Sequence, residues 1–419
     1  MLAKPSLFFG LVLILASSLA TADDDALRYS LASVAKNQRL ESFEVSNKTL
    51  TDLKIPGPWS VKQETLHGGK QEGVHRVTID NGKLKIVVIA TRGMSVFEVR
   101  HGDLRLGWDS PVKELVHPNL INLERRGGLG WLEGFNEWMV RCGLEFAGHP
   151  GMDEFIDNTG ATQQMNLTLH GKIGNIPASE VELLIDRKPP HRIRLRGTVH
   201  ERSFYGPKLE LVAEISTEPD ADTFRITDQV TNHGATDQEF QLIYHANYGR
   251  PLLEQGSKAI VAAERIAPMN DHAAPAISGY AEYVGPTKCF IEQVYLVHPL
   301  SDADGRTQIV LKNAAGDRAS SIAWNVRELP YLTIWKNTAA VEDGYVTGLE
   351  PATGFPYNRR VERKAGRLAK LSPGQQRSFT LDFGLHLGAD AVSQAESAVT
   401  KLTAGREPIL EKSPPKIPE

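Results

Sequence analysis

Two alternating stretches of the chain each end on a histidine. One runs through Ile243-Tyr244-His245-Ala246-Asn247-Tyr248-Gly249, the other through Leu169-His170-Gly171. In a strand, Phe240, Leu242 and Tyr244 share one face, and Gln241, Ile243 and His245 share the other. A histidine leaving a strand beside Asn247 is a candidate general acid, because its charge changes near neutral pH. A hydrogen-bonded structural histidine is the competing reading. Glu350 offers the complementary group, within Gly348-Leu349-Glu350-Pro351-Ala352-Thr353-Gly354-Phe355-Pro356. Pro351 lacks an N–H, so the segment reads as a strand end entering a loop, with Glu350 at a cleft rim. A carboxylate there can serve as a general base, or be a surface group at a strand end. One acid and one base of moderate pKa suffice for proton-transfer chemistry.

Other motifs narrow the field. Arg125-Arg126-Gly127-Gly128-Leu129-Gly130-Trp131-Leu132-Glu133-Gly134-Phe135-Asn136-Glu137-Trp138 mixes glycine, tryptophan and charge in a loop-like stretch. Such a loop either lines a binding cleft or is stapled by its tryptophans for stability. It does not match the dinucleotide fingerprint, and no G-x-S-x-G, H-E-x-x-H or Walker sequence is present. Ser301-Asp302-Ala303-Asp304-Gly305 echoes the start of a calcium loop, but Asn313 stands where the closing Glu belongs, so a hairpin turn is expected. Asn47-Lys48-Thr49 and Asn166-Leu167-Thr168 match the glycosylation pattern. The two cysteines, Cys142 and Cys289, show no zinc spacing, and their pairing is left open.

The elements that must position these groups are mostly strands. Short runs rich in Val, Ile, Thr and Phe recur from Val61 to about Phe383, many alternating as in Phe224-x-Ile226-x-Asp228-x-Val230. Turn residues such as Asp80-Asn81-Gly82 and Asn232-His233-Gly234 separate them. The 36 glycines and 24 prolines suit such a turn-rich chain. Twelve or more strands with little helix between them predict an all-β sandwich, residues 61–388. Asp25 to Arg39 reads as a short helix, with Leu27, Leu31 and Val34 on one face, inside a helical lead-in over 23–60. A C-terminal helix is expected over 389–402 and a disordered tail over 403–419.

Residues 1–22 read as a cleaved secretory leader. Lys4 precedes the apolar run Leu7 to Leu19, and Ala20-Thr21-Ala22 is a small-residue cleavage pattern followed by Asp23. The cut is expected after Ala22, giving a secreted or periplasmic protein with no membrane segment after cleavage. The 419 residues are 41% hydrophobic and 23% charged, which excludes disorder throughout. A net charge of −4, from 47 basic and 51 acidic residues, argues against nucleic acid as a partner. Oligomeric state is not legible.

The motifs, taken in order, resemble the aldose 1-epimerase (galactose mutarotase-like) superfamily. Arg141, Leu169-His170-Gly171, Tyr244-His245-Ala246-Asn247 and Leu349-Glu350-Pro351 carry the resemblance. Ile89-Ala90-Thr91-Arg92-Gly93-Met94, Gly128-Leu129-Gly130-Trp131 and Arg141-Cys142-Gly143-Leu144 look closer still to its DUF4432 branch. The match covers roughly residues 60 to 385. It implies a galactose mutarotase-like β-supersandwich, here with short N- and C-terminal helices, and a small-molecule carbohydrate in an open cleft. It also implies His245 as donor to the ring oxygen and Glu350 as acceptor of the anomeric hydroxyl proton. His170, Arg141, Glu292 and Arg92 are implied contacts to sugar hydroxyls, and Asn247 is expected among the substrate-binding residues. The chain departs from the superfamily around Arg141 and in the residues after His245, and it has Glu292 where Asp is usual. Opening and reclosing a hemiacetal needs one acid and one base, with no metal or redox cofactor. Trp335 could offer an aromatic face to the sugar, or be a core residue. A non-catalytic carbohydrate-binding protein, and a lyase or hydrolase of an unusual glycoside, are the alternatives, because fold does not set function. The epimerase reading expects His245 and Glu350 on one cleft with room for a pyranose ring between them.

Overall fold

Period-two alternation produces the main layers. In Thr223–Asn232, the side chains of Phe224, Ile226, Asp228 and Val230 are buried while Thr223 and Arg225 are exposed. The computed structural model describes residues 25–416. Among these, ten strands form one sheet and fourteen belong to a second. Leu195, Leu211, Ile226 and Phe383 of the smaller sheet meet Ile79, Val88, Leu242 and Ile334 of the larger one in a shared core. Neighbouring strands pair antiparallel throughout, apart from one short parallel pair noted below. The result is an all-β sandwich.

The helix expected over Asp25 to Arg39 is instead two strands, Ala26–Ser33 and Gln38–Arg39. Leu27, Leu31 and Val34 satisfy a helical stripe, but Leu27, Tyr29 and Leu31 also alternate. The free edge of Glu180–Asp186 decides between them: Leu27 pairs opposite Ile185 and Tyr29 opposite Leu183. Val34, which a helix would have buried, is 73% exposed. The expected disordered tail is also corrected in part. After the helix Ala389–Thr403, Ile409–Leu410 runs parallel to Arg265 and Ile266 at the edge of the larger sheet. That helix covers the outer face of the smaller sheet, packing Val392, Ala395 and Val399 on Val310 and Ala319. The expected leader, residues 1–22, lies outside the described residues. Among the described residues no helix is long and apolar enough to cross a membrane.

A third correction concerns Glu350. It does not sit at a strand end. It lies within Val346–Ala352, between Tyr331–Asn337 and Gln238–Tyr248, well inside the larger sheet. Pro351 is tolerated because the ladder opens locally. Ile243 pairs with Ala352 and Ala246 with Leu349, while no pairing forms at the two positions between. Ser301 to Gly305 is a turn, with Asp302 Oδ1 accepting the amides of Asp304 and Arg306. Cys142 is buried and Cys289 exposed, and both are free thiols.

Candidate active site

The outer face of the larger sheet carries the chemistry. Along Gln238–Tyr248, Phe240, Leu242 and Tyr244 enter the core between the sheets. Ile243, His245 and Asn247 therefore point to the opposite face. The register with Val346–Ala352 places His245 directly across from Glu350 and Asn247 across from Gly348. The next strand places Thr333 beside Glu350 and Trp335 beside Gly348. Two rows of side chains thus form a floor. The Arg125–Trp138 segment folds over it, packing Trp131 against Phe135 and Phe135 against Trp108 with tilted rings whose centroids are 4.6 and 4.8 Å apart. Its other tryptophan, Trp138, belongs to the core and packs edge-on to Phe383.

Floor and loop enclose an open cavity of about 640 Å3. His170, His245, Glu292, Trp335 and Glu350 line it, joined by Trp131, Phe135, Arg126 and His149. His245 Nε2 lies 3.2 Å from Glu350 Oε1, and both side chains are almost fully buried. The two groups are in contact, so the expected gap for a pyranose ring between them is absent; the open space lies above the pair. Burial, then the nearby His170, holds the His245 pKa well below its usual value. Burial, with the Glu292 charge nearby, pushes the Glu350 carboxyl well up.

His170 reaches the cavity from a strained turn. Its φ is 59°, in a left-handed region that costs a non-glycine residue about 1–3 kcal/mol. Its amide donates to Gly148 O at 3.0 Å, and its carbonyl accepts from Gly143 N at 3.1 Å. The ring Nδ1 lies 3.0 Å from Ala147 O, so Nδ1 carries the hydrogen and Nε2 is left as an acceptor. Burial lowers its pKa to about 4. The His170 and His245 rings meet edge-on at 5.2 Å. Trp335 Nε1 donates to Glu292 Oε2 at 2.7 Å, which orients the exposed carboxylate at the cavity wall.

Three expected sugar contacts lie elsewhere. Arg141 points away from the cavity into the core between the sheets. Its Nη2 donates to Asp228 Oδ1 at 2.9 Å and its Nη1 to Met94 O at 2.8 Å. Tyr244 also donates to Asp228, at 2.9 Å. Arg141 sits on the core-facing side of its strand, so it bolts the two sheets together and cannot reach a ligand in the cleft. Arg92 is likewise buried. It pairs with Glu137 at 2.9 Å and donates to Gly174, Val116 and Gly134 carbonyls, fastening the loops behind Trp131 and Phe135. Asn247 is fully buried and does not line the cavity; its Oδ1 lies 2.7 Å from His245 Nδ1.

Gly348 is a site residue whose role motif reading missed, and His149 at the cavity wall is another. A Cβ at Gly348 would lie 2.5 Å from Glu350 Oε1, 3.2 Å from Trp335 and 3.3 Å from His245. Its missing side chain is what lets the three groups converge. Its place two residues before Glu350 on one strand face was the available signal. Among the described residues no three His, Cys, Asp or Glu side chains gather as a metal-ligand set.

Comparisons with known proteins agree with this architecture. A Klebsiella pneumoniae protein described as a candidate aldose 1-epimerase has a crystal structure similar to this chain. It is 38% identical, with a TM-score of 0.87, over 93% of this chain and 99% of its own. A galactose mutarotase-like protein from Clostridium acetobutylicum shares the fold at 14% identity and a TM-score of 0.55, covering 78% of this chain and 98% of its own. No curated protein matches the chain. The model of the domain of unknown function DUF4432 matches residues 71–385. With the galactose mutarotase-like sandwich in place and most of the chain matched, the protein belongs to the DUF4432 family.

Proposed function

We propose that the protein is an aldose 1-epimerase-like enzyme that interconverts sugar anomers by acid/base ring opening. The observation that carries this reading is the His245–Glu350 contact, 3.2 Å, on the floor of an open, aromatic-walled cavity. In a hemiacetal the ring oxygen and the anomeric hydroxyl share one carbon. Two groups in contact can therefore address both oxygens from one side, with the sugar lying over the pair and not between its members. Glu350 takes the hydroxyl proton as His245 gives one to the ring oxygen, and closure on the other face reverses the roles. His170 Nε2 and Glu292 are the acceptors available to sugar hydroxyls, and Trp335 supplies a ring face. Export, expected from residues 1–22, would expose the enzyme to sugars outside the cytoplasm.

A carbohydrate-binding protein without turnover is the competing reading, which the aromatic-walled cavity alone would satisfy. Exchange spectroscopy across a panel of neutral and acidic aldoses separates the two. At least one sugar should exchange anomers faster with protein than without it. Binding with no acceleration for any of them would support the binder.

A further inference from the structure

We propose that Asn247 is a positioning residue that fixes His245 as the Nδ1–H tautomer, so that a single proton is held between His245 Nε2 and Glu350 Oε1. The inference rests on the acid/base reading of the same site, but its first test does not depend on turnover. The Asn247 amide is oriented by its own bonds. Its Nδ2 donates to Glu137 O and to His245 O, each at 3.1 Å. Carbonyl oxygens only accept, so the NH2 end must face them. Oδ1 is then left facing His245 Nδ1 at 2.7 Å. An amide oxygen cannot donate, so Nδ1 carries the hydrogen. A neutral imidazole has one N–H, which leaves the Nε2 lone pair facing Glu350 Oε1 at 3.2 Å. Two bare acceptors would repel at that distance. One proton therefore bridges them, as carboxyl to imidazole or as imidazolium to carboxylate.

That count matches the reaction. With the proton on Nε2, the pair is an acid beside a base. On ring opening, the anomeric O–H gives its proton to Glu350 and its electron pair becomes the new C=O bond. The bond from the anomeric carbon to the ring oxygen breaks, and the ring oxygen takes the proton from Nε2. The pair again holds one proton, now on Glu350, which is the uncharged arrangement a buried site favours. Closure on the other face returns it to Nε2. A second proton would abolish the base, and loss of the shared one would abolish the acid. The other groups facing His245 leave the count unchanged. His170 has its Nδ1 taken by Ala147 O. Trp131, Phe135 and Trp335 present rings. Glu292 is engaged by Trp335, and Glu137 beneath Asn247 pairs with Arg92.

The first test is 15N NMR of the full protein with labelled histidines, His245 being assigned by its loss in His245→Gln. A protonated Nδ1 is expected at neutral pH. A bare Nδ1 with a hydrogen on Nε2 would overturn the proposal. The second is Asn247→Asp, which sets a carboxylate on Nδ1 and holds protons on the pair more tightly. Both limbs of the anomer-exchange pH profile should move up by about one unit or more. A folded Asn247→Asp protein with an unmoved profile would contradict a positioning role. Should that variant not fold, the wild-type NMR result decides. Should the chain show no turnover, the tautomer is still read, so the two ideas fail separately.

Discussion

At the residue scale the site is set by what surrounds a few side chains. His245 and Glu350 were legible from the order of short motifs. Their mutual contact was not, because Pro351 argued for a loop and the opened ladder that accommodates it is a tertiary feature. Gly348 was missed because its function is to lack a side chain. Gly348→Ala would bring a Cβ within 2.5 Å of Glu350 Oε1, forcing the carboxyl away from His245. We expect a loss of about 10²-fold in turnover from this misplacement. The accompanying loss of stability should be about 1–3 kcal/mol, the usual cost of overpacking. Kinetics alongside denaturant unfolding will show whether activity falls far more than stability.

At the scale of elements, alternation predicted most of the strands, and it failed where polar groups face the core. Met139–Leu144 lacks the alternation that marks other strands, since Arg141 interrupts its apolar face. That arginine is acceptable inside only because Asp228 arrives from the other sheet, and no local pattern can show this. Arg141→Met should cost about 3–5 kcal/mol in denaturant unfolding, because it leaves Asp228 buried and uncompensated. Adding Asp228→Leu should recover much of that loss. An Arg141→Met protein that keeps full stability but loses sugar affinity would show that Arg141 acts at the cleft after all. The N-terminal strand tells the same story in reverse. Leu27 and Leu31 fit helix and strand alike, and only the waiting edge of Glu180–Asp186 selects one.

At the scale of the whole molecule, the all-β class was legible from turn spacing, whereas the ordering of chain ends against distant edges was not. Ile409 and Leu410 carry no local strand signal and are fixed by Arg265 and Ile266. One global property follows from a buried acid outside the site. Glu201 accepts the Leu144 amide at 2.7 Å, at the end of the strand that carries Arg141. Burial raises its pKa from 4.5 to about 7. A raised carboxyl pKa means the folded state holds the proton more tightly than the unfolded one. Its stability contribution is full below the unfolded value and is lost as pH rises towards the folded value. Wild type should therefore lose up to about 3 kcal/mol through this group between its unfolded and folded pKa. Glu201→Gln should flatten that part of the profile of unfolding free energy against pH. An equal slope in both proteins would show that Glu201 is not the group responsible.

Glu350 is the residue on which the proposed proton transfer turns most directly. Anomer exchange of an accepted aldose should be followed by exchange NMR with wild-type protein and with Glu350→Gln, while sugar binding is measured by calorimetry on both. Removing the base should slow exchange by roughly 10²–10⁴-fold and leave binding within a few-fold of wild type. Exchange that persists unchanged in a folded, sugar-binding Glu350→Gln protein would contradict the assignment.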